Sequence, residues 1–219
     1  MSKSKRKSSI LHKLKIIFVL NFLAHLFLSG NNAEIMVGNF IGDFVRGKNF
    51  HEQFSASIAL GIALHREIDE FTDNHPVVLE SKIRLRPKYR HYSPVIVDMF
   101  YDHFLAKNWR SYHSLTLDQY AQHAYGILKR FENVVPEQVQ RLLPHIIRGN
   151  WLLNYAQVEG IHRALSGMAQ RTPYKSKMDE ASNDLMEYYQ LFENEFTSFF
   201  PELQTCSKEF ISKSIKHNE

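Results

Sequence analysis

Two side chains one helical turn apart open the chemistry of this chain. In Gly61-Ile-Ala-Leu-His65-Arg-Glu-Ile-Asp69-Glu-Phe-Thr-Asp73-Asn-His75-Pro76, an imidazole and a carboxylate stand at i and i+4. Residues so spaced share a helix face, so His65 and Asp69 can grip one ion. Ile62 and Ile68 lie three residues to either side of His65 and put it on the stripe that faces a core, where polar groups need partners. A second segment, Ser93-Pro94-Val-Ile-Val-Asp98-Met-Phe-Tyr-Asp102-His103-Phe-Leu105, sets two carboxylates four apart between Val95 and Leu105. Two acids on an apolar stripe repel unless a cation joins them. With His25, Asp43 and His103 these residues make a candidate polar site drawn from four helices. Mixed carboxylate and imidazole donors suit Mn²⁺, Fe²⁺ or Mg²⁺, with zinc less favoured where acids dominate. Each residue alone has an ordinary explanation as a hydrogen-bonder or cap. The set resists that explanation, because structural ion pairs need buried cations and only Arg46 and Arg66 lie close in sequence.

The elements that must position these residues are helices. After residue 20 the periodicity is helical, and no run of β-branched residues alternates as a strand would. The expected fold class is all-α, a single-domain helical bundle. Gly30-Asn31-Asn32 ends a first helix and a second carries Ile35, Phe40 and Ile41. Further helices are expected at roughly 53–72, 76–85 and from Ser93 to before Trp109, with Ser93 as N-cap and Pro94 at the first helical position. Others follow at 117–131, 136–148, 158–168 and 178–200, with Pro173 separating the last two. The aromatic stripe of the final helix, including Phe192, Phe196, Phe199 and Phe200, reads as packing. Residues 20–205 form the catalytic domain in this reading and 206–219 a C-terminal tail.

A chain of 219 residues with 44% hydrophobic content can bury a substantial core and is not disordered. A lone cysteine, Cys206, excludes an internal disulfide and a thiolate zinc cluster and fits a reducing, cytoplasmic setting. The net charge of +4 invites a nucleic-acid partner, but residues 1–19 alone hold six basic residues and no acid. The remainder is close to neutral, so no nucleic-acid surface is expected. The apolar run 16–28 is interrupted by Asn21 and His25, is too short to span a bilayer and lacks a cleavage site, so neither a signal peptide nor stable membrane insertion is expected. Lys82, Arg84, Arg86, Lys88 and Arg90 form a local cationic segment, on charge alone a solvated connector.

Four segments carry a resemblance: Asn21-Phe-Leu-Ala-His25-Leu; Gly38-Asn39-Phe-Ile-Gly42-Asp43-Phe-Val-Arg46-Gly47; Leu64-His65-Arg66 through Ile68-Asp69, Phe71-Thr72-Asp73 and His75-Pro76; and Asp98 with Tyr101-Asp102-His103-Phe104-Leu105. On these the chain resembles the acyl carrier protein phosphodiesterase family, a divergent branch of the HD-type metal phosphohydrolases. The adjacent pair here is Asp102-His103, the reverse of an HD signature, so ligands cannot be copied from the wider superfamily. The resemblance implies hydrolysis of the phosphodiester joining 4′-phosphopantetheine to a serine of holo-acyl carrier protein, with a divalent cation, Mn²⁺ first and Mg²⁺ or Fe²⁺ as alternatives. It implies Asp43, His65, Asp69 and Asp102 as ligands. Asp98 or His103 completes the shell or orients water, and His25 stands behind the ligands or acts as general acid. Because acyl carrier proteins are small and acidic, Arg84, Arg86 and Lys88, with Arg66, become expected contacts of the partner. Family members begin Met-Asn-Phe-Leu-Ala-His, and Leu20 stands where that methionine would be, so translation is expected to start at position 20; peptides from residues 1–19 in the native protein would reject this. Two other readings stand beside it: a metal phosphohydrolase of the same fold acting on a nucleotide or other small phosphoester, and a non-catalytic helical protein using its basic tail at a membrane surface.

Overall fold

The computed structural model describes residues 22–172 and 174–216; the expected basic extension and its late start lie outside them. Every regular element described is helical. Helix α1 (Phe22–Leu28) turns at Gly30 into α2 (Ala33–Ile41), which Asn32 caps by accepting from Glu34 N and Ile35 N at 2.9 and 3.1 Å. A 3₁₀ turn, Gly42–Phe44, carries Asp43, and α3 (Ala56–Asn74) follows under a Ser55 cap. Then come α4 (Pro76–Tyr89), a 3₁₀ turn (Arg90–Tyr92) and α5 (Ser93–Lys107). The second half comprises α6 (Leu117–Arg130), α7 (Glu137–Arg148), the single turn α8 (Trp151–Asn154), α9 (Val158–Arg171), α10 (Ala181–Glu187) and the long α11 (Tyr189–Lys216). Among the described residues no helix is long and apolar enough to cross a membrane.

Helix α5 is apolar on nearly every side, which makes it the central helix: Ile96, Val97, Met99, Phe100, Phe104 and Leu105 are all fully buried. Helices α1, α4, α9 and α11 pack around it. Its start differs from expectation. Ser93 is already helical and its Oγ donates back to Arg90 O, so the 3₁₀ turn before it, rather than a serine cap, opens the helix; Pro94 keeps its expected place in the first turn.

Prolines end fewer helices than the sequence suggests. Helix α4 runs past Leu85 through Pro87, and α11 runs through Pro201 to Lys216, so much of the segment from 206 continues as helix. A proline inside a helix costs about 3 kcal/mol; Leu203 and Ser207, buried beyond Pro201 where α11 packs along α3, offset it. The expected 178–200 helix is instead broken at Tyr188. The break lets Ala181 and Leu185 of α10 pack near α9 while Phe192 and Phe196 of α11 turn onto Phe100 and Phe104 of α5.

Helices α2 and α3 meet backbone to backbone. A Cβ on Gly38 would lie 2.0 Å from Ile58 O, and one on Gly61 2.2 Å from Ile35 O. Real Cβ atoms do not tolerate such contacts, so the pair of glycines sets the separation of the two helices. Gly38→Ala is therefore expected to lower stability by about 1–3 kcal/mol or more through forced separation. Gly126, exposed in α6 with open space at its Cβ position, should respond to the same substitution with a gain of about 0.5–1 kcal/mol. Thermal unfolding of the two variants checks this, and equal shifts would remove the glycine contact as a constraint.

Candidate metal centre

One turn beyond the glycine contact, the same two helices bring His65 against Gly42, where a Cβ would fall 2.2 Å from His65 Cγ. The ring is thereby pressed onto the α2 backbone, and His65 Nδ1 donates to Asn39 O at 2.8 Å. Asn39 also holds the other imidazole. Its Nδ2 donates to His25 O and Ser29 Oγ at 2.7 and 3.0 Å, which leaves Oδ1 to accept from His25 Nδ1 at 2.8 Å. A carbonyl oxygen can only accept, so both neutral imidazoles carry their proton on Nδ1 and present a bare Nε2. The rings stack with centroids 4.1 Å apart.

Those Nε2 atoms face carboxylates. His25 Nε2 lies 3.6 Å from Asp69 Oδ1; His65 Nε2 lies 3.4 Å from Asp69 Oδ2 and 3.5 Å from Asp43 Oδ1. His65 Nε2 is buried and makes no hydrogen bond. Donor atoms of His25, His65 and Asp69 fall within 4.8 Å of one another, close enough to hold one ion. Two nitrogen lone pairs against two carboxylates demand a positive charge between them, a proton or a metal. The titration behaviour says the same: burial works against charge on His65, but Asp69 and Asp43 outweigh it and lift its pKa to about 9. Burial, with His65 alongside, drives His25 down to about 3 despite the Asn39 hydrogen bond. Imidazoles anchored through Nδ1–H to a carbonyl, with carboxylates opposite, fit a divalent cation of intermediate softness.

The cluster forms one wall of a cavity of about 210 Å³. Five carboxylates line it, from Asp43, Asp69, Asp73, Asp98 and Asp102, and no described lysine or arginine does. The opposite wall is aromatic, built from Tyr101, Phe196, Phe199 and Phe200; the last-helix aromatics expected to serve packing alone also shape this cavity. Asp98 is half-buried, and loss of hydration raises its pKa well above the carboxylate range; Lys82 opposes this, and Asp69, Asp73 and Asp102 add to it.

Several expected roles change. Asp102 lines the cavity, but its oxygens accept from Leu23 N at 3.0 Å and Ala24 N at 2.9 Å, so it pins the start of α1 and stands outside the three-residue cluster. Burial holds its pKa near 7 against those two bonds. His25, expected behind the ligands, is in the cluster. His103 points to the other side of α5, bonded to Tyr155 O and Tyr189 Oη at 2.8 and 2.9 Å, and does not line the cavity. Arg66 reaches Val45 O and Gly47 O at 3.2 and 2.8 Å and lies over the Phe50 ring, bracing the loop after Asp43. The cationic segment is largely neutralised within the chain: Lys82 pairs with Asp73 at 2.7 Å, Arg84 with Glu195 at 2.6 Å, and Lys88 with Asp184 at 2.8 Å. Asn39 is the residue to which sequence reasoning gave no role; its signals were a place in the 38–47 resemblance segment and a polar side chain one turn after Ile35 on the buried side of α2.

An all-helical protein with imidazoles and carboxylates gathered at an acidic cavity is the class that fold and site define. The comparisons place it further. The family model described as acyl carrier protein phosphodiesterase matches residues 20–203, and the chain belongs to that family. Curated relatives bearing the same name include one from Photorhabdus laumondii, 36% identical over 183 residues, covering 83% of this chain and 92% of the relative. One from Yersinia enterocolitica is 32% identical over 191 residues, 87% and 98%, and one from Escherichia coli 32% identical over 188 residues, 84% and 95%. No solved structure matches the chain.

Because His65 is protonated in the metal-free protein below a pH of about 9, a cation entering the cluster must displace one proton. Apparent affinity for Mn²⁺ should rise about tenfold per pH unit between roughly pH 6.5 and 8.5 and level off above. Calorimetric titration in two buffers of different ionisation enthalpy should count about one proton released per ion; a pH-independent affinity would mean that Nε2 is not displaced.

Proposed function

We propose that this chain hydrolyses the phosphodiester linking 4′-phosphopantetheine to a serine of holo-acyl carrier protein, releasing the apo-protein and 4′-phosphopantetheine. The relatives' shared name supports the substrate. The observation that carries the chemistry is the buried His65 Nε2 facing Asp69 and Asp43, two of the carboxylates that line the cavity. An anionic diester would be repelled from such a cavity without a cation. His25, His65 and Asp69, with Asp43, would hold that ion, Mn²⁺ by preference and Mg²⁺ or Fe²⁺ as alternatives for a mixed nitrogen and oxygen set. Once bound, a divalent cation neutralises phosphoryl charge and makes hydroxide accessible near neutral pH.

The remaining work falls to the chain. Asn39 keeps both Nδ1 protons in place, so both Nε2 atoms stay aimed at Asp69, that of His65 becoming a ligand once its proton leaves. Asp98, whose pKa loss of hydration raises well above the ordinary carboxylate value, is the group to give a proton to the departing serine oxygen. Tyr101, Phe199 and Phe200 offer an apolar seat to the methyl-bearing part of the pantetheine arm. The activity would be cytoplasmic, as the single-cysteine composition suggests.

Intact-mass analysis of holo-acyl carrier protein incubated with this protein and Mn²⁺ should show loss of the phosphopantetheine mass, and chelator should stop it. Asp69→Ala should abolish turnover with helical content retained, and Asp98→Asn should lower kcat by about 10²-fold or more. Activity that survives chelator, or an active Asp69→Ala variant, would overturn the assignment. Mass unchanged under every metal condition would transfer the site to a small phosphoester.

A further inference from the structure

We propose that the outward face of α4 is where the carrier protein docks, with acidic side chains of the partner against Arg86 and Arg90 and an apolar one against Leu79 and Ile83. This rests on the function proposed above. Leu79, Ile83 and Arg86 step by four and three residues, so they share one stripe of the helix, and Arg90 follows just past its end. Ile83 is 64% exposed and Leu79 42%, while Val78, Leu85 and Tyr89 on the inner side are buried. Scattered exposed apolar side chains need no explanation. Two in register on one stripe, continuous with two cations, form a mixed patch of the kind that protein partners cover.

The charges sort by direction. Lys82, Arg84 and Lys88 are matched to Asp73, Glu195 and Asp184 inside the molecule. Arg86 and Arg90 are exposed and form no ion pair among the described residues. Glu80 is also exposed beside Leu79, and the stripe remains cationic on balance. At the end of α4 the backbone takes a positive φ of 53° at Arg90, a conformation that costs energy for a residue with a Cβ. Tyr89 turns inward to Asp184, while His91 borders the catalytic cavity.

Position ties the stripe to the site. Thr72 and Asp73, just before α4, and His91, just after it, all line the cavity. A body seated on α4 therefore sits at the rim, where its prosthetic arm can enter. The cavity itself would accept a diester of any origin, so this face supplies the preference for a protein-borne one.

Steady-state kinetics of Ile83→Asp/Arg86→Glu and of Arg90→Asn test this with holo-acyl carrier protein and with bis(p-nitrophenyl) phosphate under saturating Mn²⁺. The expected result is a fall of about 10–100-fold in kcat/KM for the carrier, carried by KM and with weaker salt dependence, and an unchanged rate on the small diester. Equal losses on both substrates, or none on the carrier, overturn the proposal. Wild-type protein active only on the small diester overturns the function reading as well. Sedimentation that finds a wild-type dimer split by Ile83→Asp, with carrier turnover intact, would assign the face to a second copy of this chain instead.

Discussion

The candidate centre depends on one steric constraint, the absence of side chains at Gly38 and Gly61. Helices whose axes approach this closely can exchange contacts between ring and backbone that ordinary packing distances forbid. Gly42 lies one turn after Gly38 and His65 one turn after Gly61, so the approach persists along both helices and the ring settles where Gly42 leaves room. From that follows the bond from His65 Nδ1 to Asn39 O, and from the bond follows the tautomer. The electrostatics of the cluster are thus set by a packing decision made one turn away.

The cavity divides its labour between walls. Imidazoles and carboxylates on α1, the turn after α2, α3 and α5 face aromatic rings of α5 and α11. The apolar wall leaves the deeper acids, Asp98 and Asp102, less well hydrated than they would be on an open surface, so repulsion from their neighbours is stronger there. The same geometry therefore raises the need for a cation and offers an apolar seat to the organic part of a substrate. Asp98 feels this from both sides: it loses hydration and sits among other carboxylates, which moves its pKa well above the ordinary carboxylate value.

The helical fold and the two i,i+4 pairs were legible in the sequence because each is a local property. His65 meets Asp69 across one turn, and Asp69, Asp98 and Asp102 all line the same cavity. What the sequence could not show is which distant group consumes a buried acid. Asp102 meets Leu23 N and Ala24 N across about eighty residues, and nothing near it in the chain announces those donors. Helix ends were misjudged where tertiary burial outweighed proline, as at Pro201. In the cationic segment, spacing alone splits the charges between faces, and only the structure shows Lys82 turned to Asp73 rather than lying with Arg86. Charges two apart on a helix advance by about 200° each, so Lys82, Arg84, Arg86, Lys88 and Arg90 could never have formed a single patch.

Asp102 shows how a residue can line the cavity while its oxygens serve the backbone of another helix. Helix α1 spans seven residues, Phe22–Leu28, too few to hold its own direction, and it carries His25. The carboxylate of Asp102 takes two of the N–H groups that the first turn leaves unpaired, at the end where the helix dipole favours an anion. In this way α5 fixes the helix that delivers one imidazole to a cluster whose other members come from α3. Loss of activity on replacing Asp102 would accordingly not identify it as a ligand. A ligand's removal weakens the ion's hold while His25 stays in place, whereas removal of an anchor releases α1 first, and the His25 to Asn39 hydrogen bond with it.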